Sequence, residues 1–341
     1  MLQRNDHLIS IVLPCYNGEN HLRDAIESCL CQSYENFELI IVNDCSVDDT
    51  LNIANHFAEK DNRVTVINNK TNRKLPASLN IGHIKAKGDF VTWTSDDNKL
   101  NPNFLERLLE DLLNTEADIV FSNYNVINEQ GNFIRAHKTG PIEHILFGNK
   151  VGASFLYKKK VFDELNGYDE SLFLLEDYDF WLRSSLEFKW VHVDQVLYQY
   201  RLHAESLTAN IEFKKESNAK HKKGALKMFK KISDTLSWSA ETLDLLTDHF
   251  LKESVSVNDY LNNKQNIDAN ILSFKSDYFN EDELIFGLNM LLRNHLLSDN
   301  CNQNIKTLFK VLIREKLLLF HKSYSKKATF KYVLKSLFNV A

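Results

Sequence analysis

The chain of 341 residues, 43% hydrophobic and 26% charged, has the composition of a folded globular protein with room for one large domain and a smaller one. Its net charge of -5 argues against a general nucleic-acid binder, which needs a basic face for the phosphate backbone. No run approaches the roughly 20 apolar residues of a membrane span, and the apolar run at the N-terminus is too short for a signal peptide.

The cysteines Cys15, Cys29, Cys31, Cys45 and Cys301 show neither paired metal-ligand spacing nor a C-x-x-C motif, so free thiols in a reducing compartment are expected. These features place the chain in the cytoplasm, with room for attachment to the inner face of the cell membrane. From Lys306 onward the chain is strongly basic against the single acid Glu315, an asymmetry worth reading separately from the total.

His7 to Pro14 reads as a buried strand stopped by Pro14 and followed by the turn-rich Cys15-Tyr16-Asn17-Gly18. Leu22, Ala25, Ile26 and Leu30 recur at helical spacing after it. Phe37 to Val42 is a second strand, running into the polar loop Asn43 to Thr50 and a helix bearing Leu51, Ile53, Ala54 and Phe57. Arg63 to Ile67 gives a third strand, and Pro76 to Lys85 a helix. Strands alternating with helices in this way build parallel β-α-β units.

Phe90 to Asn98, FVTWTSDDN, is the stretch around which the rest is arranged. Its apolar, β-branched and aromatic part predicts a strand, at whose carboxyl end Asp96 and Asp97 emerge together. Ligands of open α/β sheets bind at that end. Two adjacent carboxylates repel unless a divalent cation sits between them and an anionic ligand; acidic residues preceding a helix are the bland alternative. A helix over Asn103 to Leu113, a strand over Asp118 to Phe121 and a hairpin within Val126 to Gly140 come next. Then follow a short strand at Ser154 to Tyr157, a loop over Asp163 to Ser171, a helix over Asp177 to Leu186 and a strand over Trp190 to Tyr200. Past Asn210 only helices are predicted: a lysine-rich one over Lys214 to Ile232 and another opened by a capping box at Asn280 and Glu283. The expected division is therefore 1–210 and 211–341.

Four constellations carry chemistry. Pro14, Tyr16, Asn17 and Glu19 follow the first strand, where a ring and small polar groups suit a base and a ribose. Asp44, with Ser46 and Asp48 or Asp49, follows the second, where a carboxylate suits a base imide or ribose hydroxyl, and where Ser46 or Asp48 could more plainly cap the next helix. The Asp96–Asp97 pair is the third. In the fourth, Glu176-Asp177-Tyr178-Asp179, Asp177 opens a helix where its surroundings could tune it as a general base, helix capping being the plainer reading and the preferred one for Asp179. Arg201 and His203 add a cation and an imidazole that could face a diphosphate or a metal.

PCYNGENHL, IIVNDCSVDDT, LNIGHIKAKGDFVTWTSDD, GYDESLFLLEDYDFWLR and YQYRLHAES, in that order over residues 8–208, resemble family 2 glycosyltransferases of the GT-A fold. The resemblance implies a Rossmann-like mixed sheet flanked by helices, a nucleotide-diphosphosugar donor, most often a UDP-sugar, and Mn²⁺ or Mg²⁺. It implies inverting transfer to a saccharide or lipid-linked acceptor in bacterial surface polysaccharide, lipopolysaccharide or capsule synthesis. Carried over by motif, Tyr16, Asp44, Lys74 and Asp96 serve the nucleotide, Asp96, Asp97 and His203 the metal, and Asp177 is the base. Thr94 stands where the family has the first acid of D-x-D, and Asn43 where it has an Asp before Asp44. The rival expectations are a nucleotide-sugar-binding protein without turnover and, further off, a sugar nucleotidyltransferase. In the last predicted helix Phe330, Val333, Leu334, Leu337 and Phe338 form a stripe beside Lys327, Lys331 and Lys335, suited to an anionic membrane surface or to packing on the domain or on a second subunit.

Overall fold

The computed structural model describes residues 7–204, 206, 215–299 and 302–338. Cys301 and the expected boundary at 210 lie outside them. The chain divides into two compact units, Met1–Ile142 with Asn149–Gly224 and Glu143–Gly148 with Ala225–Ala341.

In the first unit the expected alternation holds. Its elements are β1 (Ile9–Cys15), α1 (Leu22–Leu30), β2 (Phe37–Asn43), α2 (Thr50–Lys60), β3 (Val64–Asn68), α3 (Leu75–Lys85), β4 (Phe90–Trp93), β5 (Lys99–Leu100) and α4 (Phe104–Thr115). They continue with β6 (Ile119–Ile127), β7 (Phe133–His137), β8 (Phe155–Lys158), α5 (Lys159–Glu164), α6 (Glu176–Glu187) and β9 (Trp190–Arg201). One mixed sheet runs in the order β3-β2-β1-β4-β8-β6-β9-β5, with β7 paired to β6. β3, β2, β1 and β4 are parallel, whereas β8 runs antiparallel to both β4 and β6.

Every residue of β1 is buried, as expected for a parallel strand covered on both faces. On one face α1 contributes Leu22, Ala25, Ile26 and Cys29, and α4 contributes Phe104, Leu105, Leu108, Leu109 and Leu112. On the other lies α3, where Gly82 leaves room for Val12: a Cβ there would stand 2.3 Å from the Val12 side chain.

Three details differ from the reading of the sequence. β1 continues through Pro14 to Cys15, because Pro14 still pairs in register with Val42. The strand expected to end at Phe121 runs on to Ile127 as the first arm of the hairpin with β7. The six residues of α5, too few to show a helical period, lie in no expected element except for Asp163 and Glu164, which open the segment expected as a loop.

The second unit is helical: the later part of α7 (Lys215–Leu236), then α8 (Ala240–Phe250), α9 (Val257–Ser273), α10 (Glu281–Ser298), α11 (Ile305–Arg314) and α12 (Lys326–Phe338). Asn280 caps α10, its Oδ1 accepting from the N–H groups of Asp282 and Glu283 at 3.0 and 3.4 Å. The return bond of the expected box comes from elsewhere: the Asn280 N–H donates to Glu143 Oε1 at 3.2 Å.

Candidate active site

The loops at the carboxyl ends of β1 and β2 are latched together. Asn17 N–H donates to Ser46 Oγ (3.0 Å), Val47 N–H to Asn17 Oδ1 (3.0 Å), Glu19 N–H to Asp48 Oδ2 (3.1 Å) and Asp49 N–H to Glu19 Oε2 (2.9 Å). Asn17 and Glu19, expected to touch a nucleotide, thus shape its loop. Pro14 is buried inside β1 and offers it no surface. The Tyr16 ring, by contrast, is 50% exposed and available for stacking.

Asp44 is buried at the end of β2. Its Oδ1 accepts from Asn69 Nδ2 and the Arg73 N–H, and its Oδ2 from the Lys74 N–H, each at 2.8 Å. One carboxylate therefore fixes the segment from Asn69 to Lys74. Lys74 itself sits at φ 74° before α3, with its side chain exposed. Asn43 spends its side chain on Asn68 (2.8 Å) and Ser46 (2.6 Å).

The carboxylate pair lies at the end of β4, as expected. Asp96 Oδ2 accepts from the Tyr16 N–H at 3.2 Å, and Gly18 lies so close that a Cβ there would fall 2.4 Å from the same oxygen. Burial, then the charge of Asp97, raises the Asp96 carboxyl to about 7. Asp97 Oδ2 faces His203 Nε2 at 2.9 Å, while its Oδ1 is buried with no hydrogen-bond partner among the described residues. Thr94 is buried and bonds the Tyr198 hydroxyl at 2.8 Å, so the position of the family's first acid faces the core. Among the described residues no group of three His, Cys, Asp or Glu side chains is already gathered to hold a metal.

Arg201 corrects an expectation. It is 2% exposed, with Nε on the Asp97 carbonyl (2.8 Å), Nη1 on the Glu129 carbonyl (2.6 Å) and Nη2 on Asp24 (3.1 Å). A guanidinium so committed braces the Asp97 loop and presents nothing to a diphosphate. His21, unremarked in the sequence, packs its ring on His203 at 5.1 Å between centroids. Only its place after the β1 loop could have singled it out.

Asp177 stands in the first turn of α6. Its Oδ1 accepts from the Tyr178 N–H (2.7 Å) and its Oδ2 from Asn149 Nδ2 (2.9 Å). Asn149 is in turn held through Oδ1 by the N–H groups of Val151 and Gly152. The loop from Asn149 leads into β8, which runs antiparallel to β4, so the start of β8 and the end of β4 share one edge of the sheet. Asn149 is thus the residue that ties Asp177 to the edge bearing Asp96 and Asp97, and no sequence motif marks it.

Burial raises both acids of the Glu176–Asp177 pair. Glu176, buried and further raised by the charge of Asp177, reaches about 8, whereas the bonds from Tyr178 and Asn149 favour the ionised form of Asp177. Of the two, Asp177 is the one whose side chain is held by a neighbouring amide as well as by a backbone N–H. Asn149→Ala is expected to lower kcat about tenfold and to move the acid limb of the rate profile to higher pH, since a bond favouring the carboxylate is lost. An unmoved limb would dismiss Asn149 as a positioning residue.

Residues 10–174 match the model of glycosyl transferase family 2. This stretch is a family 2 glycosyltransferase domain. Its relatives agree: an uncharacterized glycosyltransferase of Rickettsia felis is 34% identical over 213 residues, covering 58% of this chain and 35% of that protein. One of Rickettsia prowazekii is 32% identical over 220 residues, 59% of this chain and 66% of the relative. Glycosyltransferase GlyA of Streptococcus pneumoniae is 28% identical over 232 residues, 60% and 32%. The chain spans about a third of the length of the R. felis protein. Among solved structures, S. aureus TarS 1-349 in complex with UDP-GlcNAc aligns with a TM-score of 0.58 at 15% identity over 91% of this chain and 90% of that one. The mannosyltransferase PcManGT of Pyrobaculum calidifontis, with GDP-Man and Mn2+, aligns at 0.50 and 13% identity over 98% and 88%. The glycosyltransferase domain therefore has the GT-A fold, and the helical region accompanies it.

Proposed function

We propose that the chain is an inverting glycosyltransferase that moves a sugar from a nucleotide diphosphosugar, a UDP-sugar foremost, to an acceptor hydroxyl. The observation that carries this is the arrangement of acids along one sheet edge: a crowded pair at the end of β4, and Asp177 held through Asn149 of the loop that leads into the neighbouring β8. The UDP-GlcNAc of the TarS structure supports the uridine donor. A saccharide or lipid-linked acceptor of bacterial surface polysaccharide synthesis, met at the cytoplasmic face of the membrane, is in keeping with the family.

Tyr16 stacks on the base, and the segment pinned by Asp44 lines the nucleotide with the Lys74 side chain nearby. Asp177 takes the proton from the acceptor hydroxyl as that oxygen attacks the anomeric carbon. The bond to the diphosphate breaks on the opposite face, and the diphosphate leaves with the electron pair, so the configuration inverts. Holding the two substrates in line supplies much of the acceleration.

The donor set fits a divalent cation. Asp97 Oδ1 is a buried carboxylate oxygen without a partner among the described residues, Asp96 is strained by a like charge, and hard oxygen ligands suit Mg²⁺ or Mn²⁺. Asp96, Asp97 and His203 would hold it, with donor oxygens and water completing the set. It would neutralise charge developing on the leaving diphosphate.

The test is nucleoside diphosphate release from a panel of UDP-, GDP- and dTDP-sugars with Mn²⁺, Mg²⁺ or EDTA. Slow turnover of one donor, stopped by EDTA, is expected. Equal rates in EDTA would remove the metal role. Tight nucleotide binding by calorimetry, with silence across the panel even when acceptor extracts are supplied, would favour a binding protein without turnover.

A further inference from the structure

We propose that α11 and α12 of the helical unit dock on an anionic lipid bilayer. α12 does not pack by its apolar stripe. It packs by Thr329, Tyr332 and Ser336: Thr329 Oγ1 bonds Arg293 Nη2 (2.9 Å) and the Leu319 carbonyl (3.1 Å), and the Tyr332 hydroxyl donates to the Asn302 carbonyl (3.1 Å). Phe330, Leu334, Leu337 and Phe338 are left exposed, Phe330 at 64% and Phe338 at 80%.

α11 repeats the arrangement. Thr307, Leu308 and Val311 face inward, while Ile305, Phe309, Leu312 and Ile313 lie outward at helical spacing, Ile313 at 80% exposure. The two helices pack against each other. A surface helix ordinarily turns its apolar stripe to the core, so two neighbouring helices that turn theirs to solvent mark an interaction face.

Charge names the occupant. Residues 306–338 hold nine Lys and Arg against one acid, Glu315. That acid is already paired with Lys264 at 3.1 Å, and none of the nine cations forms an ion pair with a described carboxylate. Lys327 and Lys331 flank Phe330, and Lys335 follows Leu334. Burying this face in a protein core would strand the lysines. A second copy docked by symmetry would bring like charges together. At the boundary of headgroups and acyl chains both demands are met: the apolar side chains enter the acyl layer while the lysines reach up to lipid phosphates. The inference is independent of the chemistry assigned to Asp177.

The experiment is flotation of the whole chain with vesicles of phosphatidylcholine alone or with phosphatidylglycerol. Flotation with the anionic vesicles, weakening as salt is added, is expected. Lys327→Glu/Lys331→Glu/Lys335→Glu should weaken it about tenfold or more. Phe309→Ser/Phe330→Ser should weaken it with an unchanged thermal melt, since both rings are exposed. Absence of flotation with the anionic vesicles, or binding that neither variant alters, overturns the proposal. So does a lipid-indifferent oligomer that the Phe309/Phe330 variant turns into monomers, which would give the face to a second copy.

Discussion

Replacing Asp177 by Asn is expected to lower kcat by on the order of 10²–10⁴-fold, the usual contribution of a positioned general base, while nucleotide binding measured by calorimetry changes little. The substitution is nearly isosteric, and the new side-chain oxygen can still accept from Tyr178. What disappears is a group able to take the acceptor proton. Asp177 does not bond to the loops after β1, β2 and β4, to which the proposed mechanism gives the nucleotide, so KM for the donor should hold. The neighbouring acid supplies a control. Glu176 is buried and spends Oε2 on the Leu174 N–H at 2.7 Å, so Glu176→Gln should keep most of the turnover. Because burial raises Asp177, the acid limb of kcat/KM should also lie above the ordinary aspartate range, with the rate rising as pH increases and Asp177 ionises. Near wild-type turnover by the Asn variant would mean that the base is elsewhere.

What the sequence revealed and what it hid follow from how each feature is made. β1, β2 and β4 were legible because strands buried on both faces are written as unbroken apolar runs. Their carboxyl ends located Tyr16, Asp44 and the Asp96–Asp97 pair without further information. β5 was not legible, since two residues carry no period and Lys99–Leu100 becomes a strand only by pairing with β9. Arg201 was misread for a related reason. A cation at the end of a strand near two acids suggests a phosphate ligand, and only the fold shows Asp24 and the Glu129 carbonyl arriving from distant segments to claim it. Asn149 stands in a stretch of mixed polarity between the hairpin and β8. Its value lies in one contact with a residue 28 positions on, which no local pattern encodes. The C-terminal helix shows the converse: its moment was plain, yet which face packs was decided by Tyr332 and Thr329, the residues with hydrogen-bond partners to meet.

Asp96→Asn should abolish metal-stimulated release of nucleoside diphosphate and, in the same protein, flatten the pH dependence of stability. The sign follows from linkage. The folded-state carboxyl lies at about 7 against about 3.9 in the unfolded chain, so between those values the folded protein holds the extra proton. Metal-free wild type therefore loses stability as pH rises through about 7, when burial and Asp97 oppose a second charge. Asp96 is only half-buried, and solvent screening reduces the loss to about 1–2 kcal/mol, or roughly 2–8 °C in Tm for a domain of this size. Asn removes the charge while its side-chain oxygen can keep the bond from the Tyr16 N–H. Glu176, raised to about 8, adds its own decline to both proteins, so the quantity to read is their difference between about pH 4 and pH 8, across which the Asp96 loss accrues. Mn²⁺ with UDP should restore the wild type at pH 8 and leave the variant unmoved, because the repulsion that destabilises the empty pair is what a divalent cation relieves. Melting curves that fall in parallel for the two proteins would show that Asp96 and Asp97 are not a charge pair awaiting a cation.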